Sequence, residues 1–139
     1  MTRRRYRLLP HTADLRVEVR GDDLPAAFAA ALEALFSLLT DRRRVRRVER
    51  RVLTVRGGSP EDRLLAILRQ ALLLHSVDRF LVRYASVRME KGKVAASLYG
   101  ETTDPARHDV YREVKAVTGH GLTVRKGPRG VTARFLLDV

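Results

Sequence analysis

Two stretches with the spacing of amphipathic helices interrupt a chain that otherwise alternates apolar and polar residues. From Asp14 to Arg20 apolar side chains occupy every second position, which predicts a half-buried strand that ends at Gly21. Residues 24–39 then place Leu and Phe at steps of three and four behind two aspartates, which predicts a capped helix. A second helix is predicted from a Ser59 cap, followed by proline and by Asp three residues on, to about Asp78.

The rest of the chain has the composition of strands. Glycine-containing turns at Lys91-Gly92 and at 127–130 indicate two hairpins. Because strands joined by hairpins are interrupted by only two helices, we predict an α+β fold. In it both helices pack on one face of a mostly antiparallel, six- to seven-stranded β-sheet, and the other face is open to solvent or to a partner. The strand-like runs after the first strand are 52–58, 80–90, 93–101, 110–118, 121–126 and 130–139.

Length and composition narrow the class of protein. The chain has 139 residues, which predicts a single domain over 1–139. It contains no cysteine, so disulfides and thiolate metal sites are excluded and any metal must be held by oxygen or imidazole. No apolar run approaches the roughly 18 residues that a membrane helix needs, and we expect a soluble, cytoplasmic protein with no membrane partner.

The net charge of +12 comes mostly from arginine. A field of this sign suggests RNA, DNA or an acidic protein as a partner. The same excess of arginine, together with many Ala, Leu and Val, is also what a GC-rich coding sequence produces. The charge alone leaves these two readings open.

Three aspartates lie at the ends of predicted elements. Asp14 opens the first strand, Asp41 follows the first helix, and Asp138 is on the accessible face of the last strand. A carboxylate after a helix C-terminus faces the negative end of the helix dipole, so Asp41 needs compensation from the neighbouring arginines or from a bound cation. Three such oxygens would suit calcium or magnesium if they converge, which the sequence alone does not show.

Other chemistry has little support from the residues. Gly57-Gly58 precedes a helix without the Lys-Ser/Thr of a P-loop, and no serine lies in a nucleophile elbow. Among the histidines, His75 is interpreted as a partly buried structural residue and His108 as a turn residue, while His120 is left open. His11 precedes the first strand and its acidic residue.

Four segments resemble the archease family and occur in the family's order along the whole chain. They are "HTADLRVEV" at 11–19, "LFSLLTD" at 35–41, "GETTDPARHDVYREVKAVTGHGLTV" at 100–124 and "ARFLLDV" at 133–139. The resemblance implies the archease fold, an α+β domain with two helices against a β-sheet. It also implies a protein that is not an enzyme but an accessory of the RtcB-type tRNA-splicing RNA ligase. In that role it promotes guanylylation of the ligase and multiple turnover in tRNA splicing or RNA repair.

The same resemblance assigns residues. It implies a divalent cation, calcium or magnesium, at three carboxylates that match the family's motifs: Asp14, Asp41 and Asp138. Lys115 matches the lysine associated with activation of the ligase, and Glu113 is predicted to share its strand face. His11 matches the motif histidine, either as a ligand or as a residue that orients the neighbouring aspartate.

Two departures from the family pattern accompany these matches. Gly119 stands where the family usually has an aromatic residue, and the basic segment 41–51 replaces one that is often acidic. Apart from these departures, the net charge of +12 and the three carboxylates keep two other functions open. One is a basic RNA-binding module that delivers RNA to a processing enzyme, and the other is a metal-dependent hydrolase using the same carboxylates. In the ligase-accessory reading, RNA is contacted indirectly or weakly through the basic surface.

Overall fold

Two α-helices and six β-strands make up the structure, a computed structural model that describes residues 14–139. The helices are α1 (Leu24–Leu39) and α2 (Pro60–Asp78), and a single 3-10 turn, Arg42–Arg44, follows α1. The strands are β1 (Asp14–Gly21), β2 (Glu49–Arg56), β3 (Phe80–Glu90), β4 (Lys93–Thr102), β5 (Ala116–Gly127) and β6 (Gly130–Asp138). The predicted α+β class, the two helices and both hairpins are confirmed.

The strands form two antiparallel sheets of three strands each, in the orders β1-β6-β5 and β2-β4-β3. The sequence predicted one larger sheet. Each hairpin, β3-β4 and β5-β6, is instead extended by one distant strand, and alternation along a strand does not reveal which partner it will join. Helices α1 and α2 each pack against strands of both sheets, so the helices cover the buried faces and the opposite faces are open to solvent.

Local capping begins both helices as the sequence predicts. Asp23 accepts a hydrogen bond from the backbone amide of Ala26 at 2.9 Å at the start of α1. Ser59 and Asp62 form a reciprocal capping box at the start of α2. The apolar stripe of α1 is fully buried, which is the main reason this helix forms at this place. Its largest buried side chains are Phe28, Leu32, Leu35, Phe36 and Leu39.

The predicted strand over 110–118 is wrong for most of its length. Val110 makes only an isolated bridge to Thr40, and strand β5 begins at Ala116. Glu113 and Lys115 therefore lie in an irregular segment, and the prediction that they share a strand face is wrong. The reason is that backbone groups of this segment bond to the end of α1 and to β6 instead of to a continuous strand partner. Within residues 14–139 no helix is long and apolar enough to cross a membrane.

Candidate functional site

The first and last described strands place two carboxylates opposite each other. Asp14 of β1 pairs directly with Asp138 of β6 in the antiparallel register. Directly opposed residues share a face of the sheet, with Cβ atoms about 5 Å apart. One oxygen of Asp138, Oδ1, is buried and has no hydrogen-bond partner among residues 14–139. A buried carboxylate oxygen without a donor is unfavourable, and the arrangement suits a cation or another donor at this point.

Asp41 is held by arginine. Its carboxylate accepts from the Arg43 backbone amide at 3.1 Å, and from Arg43 Nε and Nη2 at 3.0 Å each. The bidentate hydrogen bonds from the Arg43 side chain lower the pKa of Asp41 despite the opposing effect of desolvation. The sequence predicted that either a neighbouring arginine or a bound cation offsets the negative charge of Asp41, and in the structure Arg43 does so.

The topology brings all three aspartates to one end of the molecule. Strand β1 starts there at Asp14, helix α1 runs back along it to the same end before Asp41, and β6 finishes there at Asp138. Asp14 and Asp138 form a pair, whereas Asp41 is engaged by Arg43. Among residues 14–139, no three His, Cys, Asp or Glu side chains are grouped closely enough to hold a metal ion. His11 lies outside the described residues.

Segment 109–115 is fastened to this same end by backbone contacts. Thr40 Oγ1 donates to the carbonyl of Asp109 at 2.6 Å, and the Tyr111 amide donates to the carbonyl of Leu39 at 2.8 Å. The Lys115 amide donates to the carbonyl of Asp138 at 2.7 Å. These bonds and the buried side chain of Val114 fix an irregular segment whose other side chains are exposed and can reach a partner.

Glu113 and Lys115 point into solvent beside α2. Both are exposed, and they border an open surface depression together with His75, Arg79 and Arg112. Three of these five side chains, those of Arg79, Arg112 and Lys115, are cationic, against the single carboxylate of Glu113. The depression is therefore suited to a phosphate or a carboxylate of a partner.

Glu101, Arg107 and His108 form a buried ionic network next to segment 109–115 that the sequence did not predict. Glu101 is 7% exposed and accepts from the Arg46 backbone amide at 2.8 Å, from Arg107 Nη2, and from His108 Nε2 at 3.0 Å. His108 Nδ1 accepts from the Asp104 amide at 2.8 Å, which places the ring proton on Nε2. His108 does close the turn that begins at Asp104, as its backbone amide donates to the Asp104 carbonyl at 2.8 Å, but its ring is buried and bonds this loop to Glu101 of β4. Neither the spacing of Glu101 and His108 nor their neighbours in the sequence marks them as partners.

Of the other two described histidines, His75 follows its sequence interpretation, and His120 is the one that the sequence left open. His75 Nδ1 lies 3.1 Å from the carbonyl of Phe80, and its ring meets Phe36 edge-on at 6.2 Å. Its pKa is lowered chiefly by burial, as expected for a structural histidine. His120 is exposed, and its backbone amide donates to Thr118 Oγ1.

Comparison with known proteins assigns the family. The sequence profile of the archease protein family (MTH1598/TM1083) matches residues 6–139. The chain belongs to the archease family. Archease of Pyrococcus abyssi is 34% identical over 131 residues, which span 91% of this chain and 92% of that protein. Archease of Thermococcus gammatolerans is 34% identical over 141 residues, which span 98% and 99% respectively.

Solved structures of the archease family have the same fold. The solution structure of Methanobacterium thermoautotrophicum protein 1598 aligns with a TM-score of 0.73 at 23% identity, over 94% of this chain and 96% of that one. The crystal structure of an archease from Thermotoga maritima, described as a possible chaperone, aligns with a TM-score of 0.70 at 17% identity, over 98% of both chains. At these identities the likeness establishes the fold.

Proposed function

We propose that this archease is an accessory protein of an RtcB-type RNA ligase, acting on the ligase rather than catalysing a reaction itself. It would promote guanylylation of the ligase and multiple turnover in tRNA splicing or RNA repair. Family membership supports an accessory role, because a relative of the same fold is described as a possible chaperone. The observation that carries the proposal is the bond from the Lys115 amide to the Asp138 carbonyl, which places an exposed lysine next to the residue that pairs with Asp14.

Lys115 and Glu113 are proposed as the contact with the ligase. The segment that carries them is bonded at Asp109, Tyr111 and Lys115 to the ends of α1 and β6, so little backbone entropy remains to be lost on docking. A lysine ammonium on a flexible stem can then approach a phosphate as a point charge. His11, as the third residue proposed for activation, lies outside the described residues.

A divalent cation, calcium or magnesium, is proposed at the same end. The buried, unpartnered Oδ1 of Asp138 and the opposed carboxylate of Asp14 fit a hard cation that takes oxygen ligands. Asp41 would join them as a third ligand only if Arg43 released its carboxylate. When bound, the cation would neutralise the acidic pair and stiffen the strand ends beside Lys115. The exposed guanidinium of Arg43 can release Asp41 at small cost, since surface ion pairs contribute about 0 to 1 kcal/mol.

Ligase assays with single variants test this function. We expect Lys115→Ala to lower the stimulated rate of ligase guanylylation about tenfold, the factor that follows from losing about 1.4 kcal/mol of interaction. Asp138→Asn should lower it as well, because the acidic pair is lost. Lys126→Ala is the matched control, since it removes an exposed lysine from the far end of β5. Equal stimulation by the Lys115 and Lys126 variants would exclude the proposed contact.

A further inference from the structure

The open face of the β2-β4-β3 sheet carries aromatic and basic side chains that the archease assignment leaves without a role. Alternation in the three paired strands puts every second residue on this face, and β4 shows it most clearly, with buried and partly exposed residues in turn. Neither α1 nor α2 covers it, because both pack on the other side of the sheet. The outward-facing residues are Arg50, Val52, Thr54 and Arg56 of β2, Lys93, Ala95, Ser97 and Tyr99 of β4, and Tyr84, Ser86, Arg88 and Glu90 of β3.

A β-bulge brings two tyrosines together on this face. Val82 pairs with Gly100 and Tyr84 pairs with Tyr99, so Arg83 is an extra residue in β3. Without the bulge Arg83 would stand opposite Tyr99, and Tyr84 would be displaced to the next position. Bulges characteristically redirect a side chain in this way. The two rings are 5.8 Å apart between centroids at an angle of 34°, and Tyr84 is 40% exposed.

Arginine surrounds the tyrosine pair. The guanidinium of Arg47 lies 4.4 Å from the centroid of Tyr84 and 5.9 Å from that of Tyr99. Arg50 donates to Ser97 Oγ beside Tyr99. Within the described residues 47–99, the outward-facing side chains and Arg47 beside them include a single acidic one, Glu90. The five basic ones are Arg47, Arg50, Arg56, Arg88 and Lys93.

Small side chains in the centre leave a groove between the strands. Ala95, Ser97 and Ser86 form its floor, while Arg50, Arg88 and Lys93 are among the longer side chains around it. The groove has a volume of about 390 Å³ and leads to Tyr99. It is thus an open groove beside the tyrosine pair, bordered by three cations and by Glu90.

We propose that this face binds single-stranded RNA, with a base stacked on the Tyr84-Tyr99 pair and phosphates on the surrounding arginines. Exposed aromatics on adjacent antiparallel strands, beside basic side chains, are the arrangement with which sheet surfaces hold unpaired bases. On binding, Arg47 would move off the Tyr84 ring, a base would stack there, and the guanidinium would contact a phosphate. This movement costs little, because Arg47 is exposed and a cation–π contact of this kind is weak in water.

The charge of the face favours RNA over a protein partner. Arg47 and Arg50 lie beside the tyrosines, Arg88 and Lys93 border the groove that leads to them, and Glu90 is the single acidic residue among them. A face of this charge attracts the phosphates of a nucleic acid. A duplex would offer phosphates but no free base to stack. The inference goes beyond the proposed ligase function and does not depend on it, because RNA binding can be measured on the purified archease alone.

Fluorescence anisotropy with a labelled single-stranded uridine oligonucleotide tests the stacking surface. We expect Tyr84→Ala and Tyr99→Ala each to weaken binding roughly 5- to 150-fold, the range measured for losing one base-aromatic stack. Tyr84→Phe and Tyr99→Phe keep the ring and should bind nearly as the unchanged protein does. Circular dichroism identifies any variant that fails to fold, and the Phe variants then decide the role of the hydroxyl. Unchanged affinity of folded Ala variants, or no binding by the unchanged protein, would overturn the proposal.

Salt titrations test the phosphate contacts. Arg50→Gln combined with Arg88→Gln should reduce the slope of log K against log salt by about 1.4, since each contact to a single strand contributes about 0.7. The double variant Arg125→Gln, Arg129→Gln removes the same charge from the β5-β6 hairpin, Arg125 in β5 and Arg129 in its turn, and should leave the slope nearly unchanged. An equal loss of slope in both double variants would show diffuse attraction by net charge and would overturn a site on this face. Equal affinity for a duplex of the same length would also overturn it.

Discussion

Glu101 is the residue on which the loop before β5 most depends. Burial acts to raise its pKa, but hydrogen bonds from Arg107, from the Arg46 amide and from His108 outweigh burial and hold the pKa at about 2. A carboxyl whose pKa is lowered by folding stabilises the protein above its unfolded pKa, which is near 4.5. That contribution is lost as the pH falls from 4.5 towards 2.

Glu101→Gln should therefore lower the free energy of unfolding at pH 7 by about 2 kcal/mol. The NH2 group of glutamine would face N–H donors that the carboxylate accepts from, and at least one of these would lose its partner. The difference from the unchanged protein should shrink as the pH falls from 4.5 to 2, where Glu101 itself becomes protonated. Urea denaturation at several pH values measures both effects. Glu90→Gln is the control, since its ion pair with Arg88 is exposed and contributes little. A difference that is constant from pH 7 to 2 would contradict this account.

At the same scale the sequence predicted some partners and not others. Arginine compensation of Asp41 could be anticipated because Arg43 is two residues away and the helix dipole requires a cation nearby. The contact of Glu101 with the Arg46 amide spans 55 residues and arises only when β4 lies beside the segment before β2. Local chemistry was readable from the chain, whereas contacts made by tertiary pairing were not.

At the scale of the elements, β3 and β4 approach each other closely at Gly100. The carbonyl oxygen of Leu81, in β3 just before the bulge, occupies the place where a Cβ on Gly100 would lie. Only glycine therefore fits at this position of β4. The sequence predicted both strands and their hairpin from alternation and from Lys91-Gly92. It did not predict the bulge, because an extra residue in one strand is defined only by its partner.

Gly100→Ala should destabilise the protein by about 3 kcal/mol, the cost of forcing atoms into a fully packed place. The same change should separate the two tyrosines, because the bulge at Val82 and Tyr84 would be the first part of β3 to shift. Thermal denaturation measures the first effect, and RNA affinity measures the second. Gly127→Ala is the matched control, since the added methyl would meet nothing nearer than 3.9 Å. Equal stability of the two variants would mean that β3 can move away from Gly100 without cost.

At the scale of the whole molecule, the candidate site depends on the pairing of β1, the first described strand, with β6, the last. Alternation predicted β1 and β6 separately, and the archease resemblance implied that their aspartates belong to one site. The register of β1 with β6 then sets Asp14 opposite Asp138, while α1 returns the chain to the same end at Asp41. How the six strands divide between two sheets decides this geometry, and sequence periodicity carries no information about that division.

If a cation binds at this end, it crosslinks strands from opposite ends of the chain and should stabilise the whole fold. Calcium or magnesium at 100 times its dissociation constant would add about 2.7 kcal/mol to the free energy of unfolding. Differential scanning fluorimetry should therefore show a higher Tm with the cation for the unchanged protein. Asp14→Asn and Asp138→Asn should lose this rise, whereas the exposed Asp22→Asn should keep it. A rise that persists in both site variants would place the cation elsewhere. Asp41→Asn separates the two states of Arg43, because loss of the rise in this variant would mean that Asp41 leaves Arg43 to bind the cation.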